Sequence, residues 1–100
     1  MSEPFYIKDL SGGRYVQPAS GYYGSLILNS DVKPTMEWRF VQIEGQWGYI
    51  EHKSSGQIIH PSFQSTKATA NSLTLSRLRR NVALFAFDQV NNHIIHKNGG

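Results

Sequence analysis

Apolar and polar side chains alternate along residues 36–43. Met36, Trp38 and Phe40 fall on one face, Glu37 and Arg39 on the other. That period of two predicts a half-buried strand. Residues 84–89 repeat the alternation, with Leu84, Ala86 and Asp88 on one face and Phe85, Phe87 and Gln89 on the other. Shorter apolar runs at residues 6–8, 14–17 and 26–28 predict further strands, the second of them closed by Pro18. Ser11-Gly12-Gly13, Glu44-Gly45-Gln46 and Asn91-Asn92 supply the turns between runs. An apolar stripe at helical spacing persists nowhere. Short strands at regular spacing joined by Gly, Ser, Asn and Pro turns predict an all-β sandwich or barrel.

The strand pattern recurs. Tyr6-Ile7-Lys8 returns as Tyr49-Ile50-Glu51, and the segment from Ser11 to Pro18 returns from Ser54 to Pro61, both at an offset of 43. Leu26-Ile27-Leu28 matches Leu73-Thr74-Leu75 and Phe40 matches Phe87, now at an offset of 47. The difference places four extra residues in the polar stretch 62–69, where a surface loop tolerates insertion. A third opening follows, as Ile50-Glu51-His52-Lys53 returns as Ile94-Ile95-His96-Lys97. The chain therefore reads as one domain, residues 1–100. Repeat one covers about 5–48, repeat two about 49–92, and a third starts at 93–100. Four-strand units of this length suit a propeller blade or one unit of a β-trefoil. A propeller needs at least about four blades, so the trefoil fits better. A closed trefoil also needs three complete units, because an open barrel leaves unpaired strand edges. The expectation is that the natural chain continues past Gly100 or that a partner chain supplies the closing strands.

Composition narrows the chemistry. The chain has 100 residues, 39% of them hydrophobic and 17% charged, so it is made to fold as a single domain. It has no cysteine, which excludes disulfides, thiolate metal sites and a cysteine nucleophile. Its net charge of +3 permits anionic partners without requiring them. The first residues show no basic head followed by an apolar run, and no stretch approaches the ~18 apolar residues of a membrane span. These features predict a soluble protein without membrane insertion. Nucleophile elbows, metalloprotease motifs and phosphate loops are absent, so no catalytic residue is assigned and no enzyme activity is expected. No cofactor is expected either. His93 and His96 are three apart, which puts them on opposite faces of a strand and argues against a shared metal. Turn hydrogen bonding accounts for His52 and His96.

Two polar clusters sit at corresponding places in the two units. Residues 29–33 read Asn-Ser-Asp-Val-Lys, and residues 76–80 read Ser-Arg-Leu-Arg-Arg. Gln17 and His60 each precede a proline at matching positions. A shallow pocket in the first unit would hold Gln17, Gly21, Asp31 and Lys33, with donors and acceptors for vicinal hydroxyls. Tyr22 and Tyr23 lie in the adjoining loop, where a ring face could pack on the apolar side of a sugar or simply fill the loop. Asn29, His60 and His96 complete the candidate carbohydrate contacts. The basic run at 77–80 reads as a solvated loop or as a phosphate or sulfate contact. With three clustered charges and no interleaved aromatic platform, it does not predict nucleic-acid binding.

The segment Gln46-Trp47-Gly48-Tyr49-Ile50-Glu51-His52, continuing to His60-Pro61, resembles the mussel galactose-binding lectins of the mytilectin (MytiLec/SeviL-like) type. Residues 83–88 and 94–100 resemble the same family. The resemblance implies a β-trefoil with R-type sugar sites that bind terminal galactose or N-acetylgalactosamine without metal. It also implies agglutination by multivalency. The family site pairs a His-Pro-x-Gly-Gly loop with Asp-x-His. Pro18, Gly21 and Asp31 match in the first unit, where Gln17 and Lys33 replace the histidines. In the second unit His60 and Pro61 match, but Leu78 stands in place of the aspartate. The implied function is a lectin for galactose- or N-acetylgalactosamine-terminated oligosaccharides on glycolipids or glycoproteins, assembled as a homodimer and acting outside cells. Two alternatives stay open: a trefoil interaction module with decayed sugar sites, and a basic binder of sulfated glycan.

Overall fold

The computed structural model describes residues 3–8, 12–18, 26–33, 36–61, 73–91 and 93–97. The stretch 62–69 and the residues Gly21, Tyr22 and Tyr23 lie outside them.

The described residues are all-β, with a 3₁₀ turn at Asn81–Ala83. Their strands are β1 (Tyr15–Pro18), β2 (Leu26–Asn29), β3 (Trp38–Glu44), β4 (Trp47–His52), β5 (Ile58–Pro61), β6 (Leu73–Ser76), β7 (Phe85–Asp88) and β8 (His93–His96). β1 and β2 form an antiparallel hairpin of their own. The other six make one sheet in the order β6-β5-β4-β7-β8, with β3 also paired to β4. The run at residues 6–8 forms no regular strand and joins the fold through isolated bridges, Phe5 to Trp38 and Lys8 to Tyr15.

Each residue pair of the first hairpin has a counterpart in the second. Tyr15↔Asn29 corresponds to Ile58↔Ser76, Val16↔Leu28 to Ile59↔Leu75, and Gln17↔Ile27 to His60↔Thr74. The offset is 43 on one strand and 47 on the other, the same two offsets that relate the sequences. The Phe5↔Trp38 bridge corresponds in the same way to Gly48↔Phe85, and Lys8↔Tyr15 to Glu51↔Ile58. Trp38↔His52 in the β3–β4 pair corresponds to Phe85↔His96 in β7–β8. The turn glycines correspond too. Gly13 and Gly56 both have positive φ, 66° and 75°, a left-handed backbone that a side chain would strain.

The core divides in two. Trp38, Ile50, Ile59, Leu75 and Phe85 form one cluster, with Phe5, Val16 and Phe40 packed against it. Tyr49, Ile58, Ala83 and Leu84 form the other, beside Val41 and Trp47. Successive strand residues point to opposite faces, so Tyr49/Ile50, Ile58/Ile59 and Leu84/Phe85 each divide between the clusters. β4, β5 and the start of β7 are therefore covered on both sides. Gly48 lets β3 and β4 close up: a Cβ there would lie 2.4 Å from the Val41 carbonyl oxygen and 2.7 Å from the Phe40 ring.

Two strand boundaries differ from the sequence reading. Met36 is fully buried but precedes β3, because its amide closes a turn onto the Lys33 carbonyl at 2.9 Å. β7 starts at Phe85, one residue inside the 84–89 run, because the turn before it is closed by the Ala83 amide on the Arg80 carbonyl at 2.9 Å and the Leu84 amide on the Asn81 carbonyl at 3.3 Å. The alternation within residues 84–89 is kept, but both of its faces are covered at the start. Leu84, Phe85 and Ala86 are all buried, while Phe87 is exposed.

Candidate functional site

The first hairpin brings four of the predicted residues to one end. The Asn29 side chain links two of the others, Gln17 and Asp31. Its Nδ2 makes a long 3.4 Å contact to Gln17 Oε1 across the hairpin, and its Oδ1 accepts the Asp31 amide at 3.0 Å. Asparagine favours this local turn because its short side chain reaches the backbone two residues on. Asp31 and Lys33 follow on the exposed rim. Lys33 is fixed through its backbone, since its carbonyl accepts the Met36 amide and its own amide lies 3.2 Å from Met36 Sδ. The buried Met36 thus anchors an exposed polar turn to the core. Trp38 ties the hairpin down from below, with Nε1 donating to the Val16 carbonyl at 3.2 Å. The result is a carboxylate, two amides and an ammonium at one hairpin end, a set that offers donors and acceptors to adjacent hydroxyls.

The corresponding end of the second hairpin keeps the frame and changes the side chains. Ser76 stands where Asn29 stands, and its hydroxyl accepts the Leu78 amide at 3.0 Å. His60 occupies the Gln17 position and is buried, with its carbonyl accepting Thr74 Oγ1 at 2.9 Å. Leu78 and Arg80 occupy the Asp31 and Lys33 positions, both exposed. Arg79 is held by four contacts, one of them to the Arg77 carbonyl at 3.3 Å. It bonds Glu51 at 3.2 Å and the Gly56 carbonyl at 2.8 Å, and it stacks 5.8 Å from the Tyr49 ring centre. The basic run is therefore only partly solvated loop. The offset of 47, applied beyond Leu73, Thr74 and Leu75, would have singled out Ser76 as the mate of Asn29.

His96 lies apart from both ends. It is buried in β8, its ring 5.0 Å from that of Phe85, and its Nε2 donates to the Val82 carbonyl. His52 repeats the arrangement against Trp38 at 5.1 Å, with Nδ1 2.8 Å from Ser55 Oγ. Among the described residues, no three of His, Asp and Glu converge to hold a metal ion. None of their helices is long and apolar enough to cross a membrane.

A cleft of about 390 Å³ opens between residues 5–8 and the β7–β8 pair. None of the candidate sugar contacts among the described residues lines it. Phe5, Ile7, Phe87 and Ile94 give it an apolar wall, where the Phe5 and Phe87 rings meet edge to face at 5.4 Å. Asp88 also lines it, but its carboxylate is engaged by the Val90 and Asn91 amides and by Asn91 Nδ2 at 2.8 Å. The Asn91 contacts hold the Asp88 carboxyl below its ordinary pKa.

Residues 5–100 match the MytiLec family, alpha-D-galactose-binding lectins. The chain belongs to that family. No curated protein matches it.

Proposed function

We propose that the protein is a β-trefoil lectin that binds terminal galactose or N-acetylgalactosamine on cell-surface glycolipids and glycoproteins, without catalysis. The carrying observation is the match to galactose-binding lectins over residues 5–100. The polar hairpin end around Asn29 supplies a place for the sugar. Asp31 accepts from adjacent sugar hydroxyls, Gln17 and Lys33 donate, and Asn29 positions Asp31. Gly21 and Tyr22, proposed as further sugar contacts, lie outside the described residues. His60 and His96 are buried, which favours framework roles for both.

The paired registers support the trefoil reading. Residues 5–8 with β1–β3 make one four-strand unit, β4–β7 make the second, and β8 opens a third. A single shallow sugar site binds weakly, so firm attachment and agglutination come from several sites in a homodimer or larger assembly.

A glycan array tests the reading. The expected result is signal confined to glycans ending in galactose or N-acetylgalactosamine and removed by free galactose. Uniform signal, or signal that free galactose does not compete, overturns it and favours a protein-binding module.

A further inference from the structure

We infer that the cleft beside residues 5–8 is a strand acceptor. It binds an extended segment of a partner polypeptide that carries an acidic side chain opposite Lys8 and a large apolar one opposite Ile7. The inference is independent of the sugar reading. Among the described residues, one path of paired segments runs from residues 5–8 through β3, β4 and β7 to β8. Its two ends line the same cleft of about 390 Å³, residues 5–8 on one side and Phe87, His93 and Ile94 on the other. Residues 5–8 are bonded on one edge. Phe5 exchanges amide–carbonyl bonds with Trp38, at 2.8 and 2.9 Å, and the Ile7 carbonyl accepts the Val16 amide at 2.9 Å. The backbone groups of Tyr6 and Lys8, between and beyond them, make no bond among the described residues. That alternation is the pattern of a chain paired on one side only, and such an edge is a template for a further strand.

The internal register specifies the strand. Residues 5–8 correspond to residues 48–51 of β4 at the offset of 43, and β4 has β3 paired beside it. There Arg39 lies opposite Glu51, Phe40 opposite Ile50 and Val41 opposite Tyr49. Carried onto residues 5–8, the same three places lie opposite Lys8, Ile7 and Tyr6. At the first of them the charge is reversed. Glu51 pairs with Arg39 at 2.5 Å. Lys8, its counterpart, has no carboxylate partner among the described residues and lies 5.8 Å from the Tyr15 ring centre. A strand seated here therefore needs an acid where β3 has an arginine. At the Phe40 place the cleft offers Phe5, Ile7, Phe87 and Ile94, the last two 39% and 40% exposed. A large apolar side chain covers them. Main-chain bonds along Tyr6 and Lys8 supply affinity and the two side-chain places supply specificity, as in other cases of strand addition.

The test titrates the whole protein, at constant ionic strength, with two peptides. One copies residues 36–44, and the other is the same peptide carrying Arg39→Glu. Affinity is read by calorimetry and the site by hydrogen exchange. The Arg39→Glu peptide should bind saturably and protect the Tyr6 and Lys8 amides. It should bind roughly fivefold more tightly than the unchanged peptide, the scale of replacing a like-charge cross-strand pair by an opposite-charge one. Lys8→Glu in the protein, a change at an exposed position, should reverse the order of the two peptides. Adding Val41→Pro to the acidic peptide should abolish binding, because proline removes an amide from the ladder. Equal affinity of the two peptides, an order that Lys8→Glu leaves unchanged, or binding that survives Val41→Pro would each overturn the inference. Absence of binding would overturn it too, and a protein that then sediments as a dimer would assign the cleft to a second copy instead.

Discussion

At the end of β2 an asparagine side chain holds the amide of Asp31; at the end of β6 a serine hydroxyl holds the amide of Leu78, at the same distance. Below the first turn sits Met36 and below the second Ala83, each closing a turn onto the residue three before it. Deeper still, Trp38 meets His52 as Phe85 meets His96. The likeness is strongest in the core and fades toward the surface. Backbone register and core contacts are set by residues that both units keep as apolar or aromatic. The exposed rim is free to differ, and there Asp31 and Lys33 give way to Leu78 and Arg80. On the proposed function, frame and ligand chemistry are encoded by separate sets of positions.

The largest expected effect comes from breaking the frame. Trp38 is fully buried and anchors β1 through Val16, so Trp38→Ala should cost about 3–5 kcal/mol in urea unfolding. Phe85→Ala should cost a similar amount, about 3–5 kcal/mol, since Phe85 holds the corresponding place. Trp38→Phe, which gives the first unit the ring of the second, should cost less. It loses the bond to Val16 and some volume, about 1–2 kcal/mol in all. If it costs as much as Trp38→Ala, the two core positions are not interchangeable.

Next comes Gly48, where the units differ inside the core. Its counterpart by register is Phe5. Gly48→Ala would press a methyl group against the Val41 carbonyl and should cost about 1–3 kcal/mol. At the turn glycines the units should agree instead. Gly13→Ala and Gly56→Ala each force a side chain into the left-handed region and should cost about 1–2 kcal/mol apiece. Unequal losses would show that the two turns are held differently.

Much of this frame was legible in the sequence because the two offsets, 43 and 47, carry strand register directly. Once Tyr15 was matched to Ile58, the pairing of one hairpin implied that of the other. Which face of residues 84–89 is buried was not legible. Alternation identifies which face is buried only when the other meets water, and Leu84 and Phe85 enter different core clusters on opposite faces of the chain. The exposed Phe87 ran against its apolar character because it borders the cleft beside Phe5. The first candidate site was partly legible: Gln17, Asn29 and Asp31 were singled out, and the structure joins them through Asn29. Its counterpart was harder to read. Arg79 looked like one more solvated cation, and its partners Glu51, Gly56 and Tyr49 lie more than twenty residues away in the chain.

The smallest expected effect concerns pH. The turn after β7 is held by Asp88, whose carboxyl is kept below its ordinary pKa chiefly by Asn91. The turn after β3 uses Gln42 Nε2 on the Gly45 carbonyl instead, at 2.7 Å. A depressed pKa means that the stabilising contribution is present above the unfolded value, about 3.9 for aspartate, and is lost as the pH falls through the folded value. Hydrogen exchange at the Val90 and Asn91 amides should therefore gain relative to the turn after β3 below about pH 4. Asp88→Asn should remove the difference.

The central claim is that a shared frame carries a working galactose site where Asp31 is present. Galactose titration of the wild-type and Asp31→Ala proteins, followed by amide shifts together with urea unfolding, tests it most directly. The wild-type protein should show saturable shifts around Asn29 and Asp31 and none at Ser76 or Leu78. Asp31→Ala should lose about 1.5–3 kcal/mol of binding, the scale of a hydrogen bond to a charged group, with its unfolding midpoint unchanged. Wild-type affinity in a folded Asp31→Ala protein, or galactose shifts centred on Leu78, would contradict it.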